Sequence, residues 1–98
     1  MNANEYINGM ADLIRTTGAE YVKVEDVNGK KRIAAKFHSV SEMNSEMKKA
    51  FIANAETLKA LNAGLKVLRA SGAIKSATNC WAPTLLEGGI ELRMDFGF

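Results

Sequence analysis

The sequence contains little of what most catalytic and metal-binding sites are built from. Its 98 residues include one cysteine, Cys80, and one histidine, His38. A lone cysteine excludes an internal disulfide bond and favours a reducing, cytoplasmic setting. One cysteine and one histidine cannot supply a usual zinc site, and the carboxylates show no calcium-ligand spacing. We therefore expect no metal ion and no cofactor.

A catalytic constellation is also missing. Cys80 and His38 resemble a nucleophile with its base, but Cys80 lies beside Trp81 in a semi-apolar stretch, where a lone cysteine usually acts as a small buried hydrophobe. The tripeptide Asp95–Gly97 matches a kinase metal-binding motif in letters only, because a kinase also needs a phosphate-binding loop, a strand lysine and a much longer chain. The sequence therefore predicts no catalytic residues and a protein that is not an enzyme.

Long apolar runs and a strong charge of one sign are absent as well. No apolar stretch approaches the roughly 20 residues that span a bilayer, and the N-terminus lacks the basic flank and apolar run of a signal peptide. The net charge of +2 neither requires nor excludes a nucleic-acid partner. With 47% hydrophobic and 24% charged residues, the composition is that of a globular protein. We expect one domain over residues 1–98, in the cytoplasm, with no membrane partner.

The clearest local pattern is a β-hairpin over residues 19–37. Asn28 and Gly29 lie between two strand-like runs, which is typical of a two-residue type I′ turn. Placing these residues at the tip puts Val24 opposite Ile33 on the apolar face. Turn chemistry and face pattern agree, and this agreement supports the register.

Two helical patterns flank the hairpin. The first covers residues 4–16. The second begins after Ser39, which opens a capping box of the form S-x-x-E, and ends at Gly72. A continuous helix of about 30 residues is about 45 Å long, whereas a compact domain of this size is about 33 Å across. The helix must therefore overhang, bend or divide, with Asn54 the first candidate for a break and Gly64 the second.

The C-terminal part reads as a second hairpin. Residues 73–82 form its first strand, residues 83–89 its loop with a glycine bend, and Ile90–Phe98 its final strand of alternating apolar residues. The order α-β-β-α-β-β predicts an α+β fold: a four-stranded antiparallel sheet of two hairpins, packed against one long and one short helix.

Excess apolar surface predicts a homodimer. A row of small residues on the long helix lets another element approach closely, and methionines 10, 43, 47 and 94 add adaptable contact area. The final strand is a candidate sheet edge, and its last two phenylalanines extend beyond what the first hairpin covers. The predicted self-association residues are Ala53, Thr57, Ala60, Gly64, Phe96 and Phe98.

Acidic residues are absent between Glu56 and Glu87, a span that contains four cations. At about 100° per residue, the three cations on the helix lie within about 80° of one another. Together with a nearby tryptophan they suit a phosphate-contacting surface with a stacking residue, or simply a solvated helix face. The predicted partner-binding residues are Lys59, Lys66, Arg69, Lys75 and Trp81.

Three function classes follow. The first is a non-enzymatic regulator, adaptor or inhibitor that occludes or scaffolds a macromolecule, as small proteins of phages and mobile elements do when they block a host system. The alternative is nucleic-acid binding through the basic helix face, with Trp81 or Tyr21 stacking. The third is a small-molecule pocket between sheet and helix or at a dimer seam, using Trp81 and Asn79. A protein partner is favoured over nucleic acid.

Overall fold

The computed structural model describes residues 1–79 and 83–98. Cys80 and Trp81, and the side chain of Asn79, lie outside the described residues. The elements in chain order are α1 (Ala3–Ile14), β1 (Tyr21–Val27), β2 (Lys30–Phe37), α2 (Val40–Ala53), α3 (Ala55–Ala70), β3 (Ser76–Asn79), β4 (Thr84–Leu86) and β5 (Gly89–Gly97). They form one antiparallel sheet with helices packed against it, which confirms the predicted α+β fold.

The sheet has five strands instead of four. Its order is β1-β2-β5-β3, and β4 pairs with β5 as well. The segment predicted as a loop contains β4, where Leu85 lies opposite Ile90; three residues are too few to display a strand pattern. The final strand is not a sheet edge, because β5 pairs with β2 on one side and with β3 and β4 on the other.

The first hairpin has the predicted turn and register. Asn28 and Gly29 both have positive φ, 52° and 78°, as a type I′ turn requires. Val24 lies opposite Ile33. Because glycine has no Cβ, it adopts this backbone conformation without a steric penalty.

The long helical pattern is divided at Asn54, so the prediction of one long helix is corrected to two helices. Asn54 leaves the helical conformation (φ −118°, ψ 36°), and its side-chain Nδ2 donates to the carbonyl oxygen of Ala50 at 2.8 Å. The same carbonyl also accepts the backbone N–H of Asn54 at 2.9 Å, so the asparagine side chain adds a second bond at the end of α2. At the other end of α2, the backbone N–H of Glu42 donates to Ser39 Oγ at 3.1 Å, as the capping pattern predicted.

The helices and the inner face of the sheet enclose one apolar core. Gly9 lets α1 and α3 approach closely, since a Cβ at this position would lie 2.9 Å from a methyl of Leu61. Phe96 is only 2% exposed, and its ring meets Tyr6 edge to face with centroids 5.6 Å apart. The prediction that a second subunit covers Phe96 is therefore wrong, because α1 covers it. Phe98 is 47% exposed.

The helices of the described chain are short or polar. Within residues 1–79 and 83–98, none combines the length and the apolar character needed to cross a bilayer.

Candidate binding cleft

The helix layer covers the two halves of the sheet unequally. Among the described residues, α1 packs on β1 and β2, and α2 packs on β2. On the side of β5, α2 and the sheet are separated by a hollow of about 610 Å³. Its walls are mainly apolar, with Met43, Met47 and Phe51 on α2 and Leu92 and Met94 on β5.

A second hollow continues the first one. It has a volume of about 290 Å³ and lies between α1, α3, β3 and β5. Phe51 and Met94 line both hollows, so the two are neighbours that share a wall, and we call them together the cleft. The second hollow adds Leu58 and Leu65 of α3 to its wall. The cleft therefore follows both halves of the divided helix.

The charged residues that line the cleft carry one sign. Among the described lining residues these are Lys48, in the first hollow, and Arg69, in the second. Both side chains are exposed, and neither forms an ion pair with a described residue. Ile52 also lines the first hollow and is 70% exposed. The cleft thus combines an apolar wall with two exposed cations and an exposed isoleucine.

The structure places the predicted basic residues on two elements. Lys59, Lys66 and Arg69 are exposed on α3, and Lys75 is exposed in the connection between α3 and β3. None of the four pairs with a described carboxylate. Only Arg69 lines the cleft. Trp81, the predicted stacking residue, lies outside the described residues.

The predicted row of small residues is largely accessible. Ala53, Thr57 and Ala60 are exposed. Gly64 is approached by the chain's own N-terminus, since a Cβ there would lie 2.6 Å from Met1 Sδ. The part of the row around Gly64 is thus already in contact with Met1, whereas the other three positions face outward.

The outer face of the sheet carries charges that are paired with one another. The buried Glu91 accepts a hydrogen bond from the Tyr21 hydroxyl and another from Arg93 Nε at 2.7 Å. Burial of the Glu91 carboxyl raises its pKa, but the bonds from Tyr21 and Arg93 outweigh burial, so the pKa is lowered overall. The bond to Glu91, with burial as a lesser cause, raises the pKa of Tyr21 to about 12.

A second pair lies on the same face. Arg32 donates to both carboxylate oxygens of Asp95, at 2.8 and 3.1 Å, and the arginine lowers the pKa of Asp95. Lys36 pairs with Glu20 at 2.8 Å. Arg32 lies opposite Glu25 on β1, but its hydrogen-bonded partner, Asp95, belongs to β5. These mutual contacts leave the outer face with fewer free charges than its composition suggests.

Within residues 1–79 and 83–98, no three histidine, cysteine or carboxylate side chains are grouped to hold a metal ion. Comparisons of the chain with protein-family models, curated proteins and solved structures find no match. The function must therefore be argued from the surface itself. The third alternative from the sequence was a pocket between sheet and helix, but at Trp81 and Asn79 and not at the residues that line the cleft. The methionines that the sequence singled out for contact include Met43, Met47 and Met94, which do line it.

Proposed function

We propose that this chain is a non-enzymatic binding protein that holds a protein partner in the cleft and acts by occluding or scaffolding that partner. The observation that carries the proposal is the hollow of about 610 Å³ with a mainly apolar wall. The accessible part of this wall is Ile52, which is 70% exposed, together with the half-buried Met47 and Phe51; partly open apolar hollows of this size are where ligands and partner side chains bind. The single cysteine supports a cytoplasmic site of action.

The test uses two matched substitutions. Ile52 and Val67 are both exposed helical β-branched residues, at 70% and 66%, but only Ile52 lines the cleft. We expect a partner captured from a lysate of the native host to be retained by the wild type and by Val67→Glu, and to lose at least about tenfold in affinity with Ile52→Glu. Equal retention by both variants would place the partner elsewhere. Because both side chains are exposed, neither change should unfold the protein.

The free cations of α3 favour nucleic-acid binding as a second candidate. Lys59, Lys66 and Arg69 have no ion-pair partner among the described residues, so they are available to phosphates. Under this alternative, Lys66→Glu weakens binding and reduces its salt dependence, while Ile52→Glu has little effect. Nuclease treatment before capture separates the two candidates. Binding that survives nuclease and is lost with Ile52→Glu supports the protein partner.

We also propose that the chain forms a homodimer through the exposed small residues. Ala53, Thr57 and Ala60 remain accessible on α2 and α3, and Phe98 is half exposed. Light scattering should give twice the mass of the chain, and Ala60→Glu should return it to the mass of one chain. A monomeric wild-type protein would contradict the dimer and leave the cleft proposal standing.

A further inference from the structure

We infer that the partner segment held in the cleft is an amphipathic α-helix with acidic residues along its margin. The inference rests on the function proposed above and adds the chemistry of the partner. It is argued from three properties of the cleft: the hydrogen bonding of its walls, its size and apolar lining, and the sign of its charges.

The hydrogen bonding of the walls favours a helix over an extended segment. One wall is α2 and α3, whose backbone groups bond within each helix. The other is β5, an internal strand: Leu92 lies opposite Ala35 on β2, and Met94 lies between Ile33 and Asn79. The first hollow faces the side chains of Leu92 and Met94 on the face of the sheet and not a strand edge, so an extended peptide there would bury its own backbone N–H and C=O groups without partners. The terminal strand β3 borders the second hollow only. A helix satisfies its backbone groups internally.

The size and lining of the cleft suit several apolar anchors. The first hollow, at about 610 Å³, exceeds the volume of any one side chain, and the second continues it along α3. A helix presents anchors at positions i, i+3 or i+4, and i+7 on one face. Met43, Met47 and Met94 line the first hollow, and methionine side chains adapt to differently shaped anchors.

The charges at the cleft select acidic residues. Lys48 lines the first hollow and Arg69 the second, and neither is neutralised by a described residue. A partner with aspartate or glutamate beside its anchors gains attraction at both positions, whereas a basic partner is repelled.

The test is a display selection. The wild-type protein is used to select from a library of random peptides of about 16 residues, a length of about 24 Å as a helix. We expect the enriched peptides to share apolar residues at helical spacing and an excess of aspartate and glutamate, and to become helical on binding by circular dichroism. Enriched peptides that are basic or uncharged, or that alternate as a strand does, would overturn the inference.

Charge reversals with adjacent controls sharpen the result. Lys48→Glu and Arg69→Glu should each lower the affinity for a selected peptide about tenfold. Lys49→Glu and Lys66→Glu, exposed cations on the same helices that do not line the cleft, should change its affinity less than about twofold. Equal effects of all four would show long-range attraction only and would overturn the inference.

The outcomes also separate this inference from the proposed function. Peptides that lose binding with Ile52→Glu but carry no acidic residues would refute the acidic helix and keep the cleft as the binding site. Peptides whose binding is unchanged by Ile52→Glu, together with a native partner that is equally unchanged, would refute both.

Discussion

Replacing Phe96 by alanine tests whether the last strand belongs to the core of its own chain. The ring is 2% exposed and lies against Tyr6. Burying a phenylalanine removes about 150–250 Å² of side-chain surface from water, which is worth about 4–6 kcal/mol at about 25 cal/mol per Å². An alanine at the same position still buries part of this surface, so the loss is smaller. Because Phe96 borders the second hollow, its surroundings can relax. We therefore expect Phe96→Ala to cost about 3–4 kcal/mol in the free energy of unfolding, near the lower end for such substitutions.

Urea denaturation measures this cost, and a second variant covers the case in which Phe96→Ala does not fold. A domain of this length has a stability of about 5–15 kcal/mol, and at the low end of this range the alanine variant loses most of it. Phe96→Leu keeps most of the volume and loses the edge-to-face contact, and should cost about 1–1.5 kcal/mol.

Phe98 is the control within the same segment. Because it is 47% exposed, Phe98→Ala should cost less than about 1 kcal/mol. Equal costs at Phe96 and Phe98 would refute the assignment of Phe96 to the core. A Phe96→Leu variant as stable as the wild type, but with a lower mass by light scattering, would place the ring at a subunit interface instead.

The paired charges of the outer sheet face give two predictions on pH. The Arg32 pair holds the pKa of Asp95 below its usual value of 3.8, so it stabilises the fold above pH 3.8, and this contribution is lost as the pH falls through the folded pKa. Asp95→Asn should lower the free energy of unfolding by about 1–2 kcal/mol at pH 7. It should also reduce the loss of stability on acidification, as measured by denaturation. An unchanged loss would contradict the pairing. The contribution of Tyr21 to stability depends on pH in the opposite direction. Because its pKa is raised from 10, Tyr21 stabilises the fold below pH 10, and this contribution is lost as the pH rises towards about 12. Ultraviolet titration, with Tyr21→Phe as the reference, should show this ionisation near pH 12, and Glu91→Gln should return it towards 10; ionisation near 10 in the wild type would show that the bond is not formed in solution.

The features predicted correctly from the sequence are those that neighbouring residues determine. Asn28 and Gly29 set the hairpin register because a type I′ turn needs positive φ at both positions. The capping oxygen of Ser39 acts three residues away. Length predicted that the long helix overhangs, bends or divides, since an unbroken helix would exceed the longest dimension of the molecule, 39 Å. The polar Asn54 within the apolar stripe indicated where the break falls.

The features that were missed depend on contacts between distant parts of the chain. The place of β5 inside the sheet is decided by its pairing with β2 and with β3, and nothing in the alternation of Ile90–Phe98 distinguishes an internal strand from an edge. The cover over Phe96 comes from Tyr6, ninety residues earlier. Arg32 likewise pairs with Asp95 and not with its neighbour on the hairpin.

The residues that line the cleft were missed for the same reason. They depend on which strands each helix covers, and these contacts join distant parts of the chain. Strands lie about 4.8 Å apart, so one helix about 10 Å wide covers about two of them. In this chain α1 lies over β1 and β2, and α3 packs on α1, held close at Gly9. In that arrangement α3 packs largely on another helix, and hollows remain between the helices and the part of the sheet that β5 and β3 form, although the apolar side chains of β5 are themselves buried. A larger residue at Gly9 must displace the Leu61 side chain of α3, so a substitution at this glycine, which does not line the cleft, should alter the packing of α3 beside the cleft.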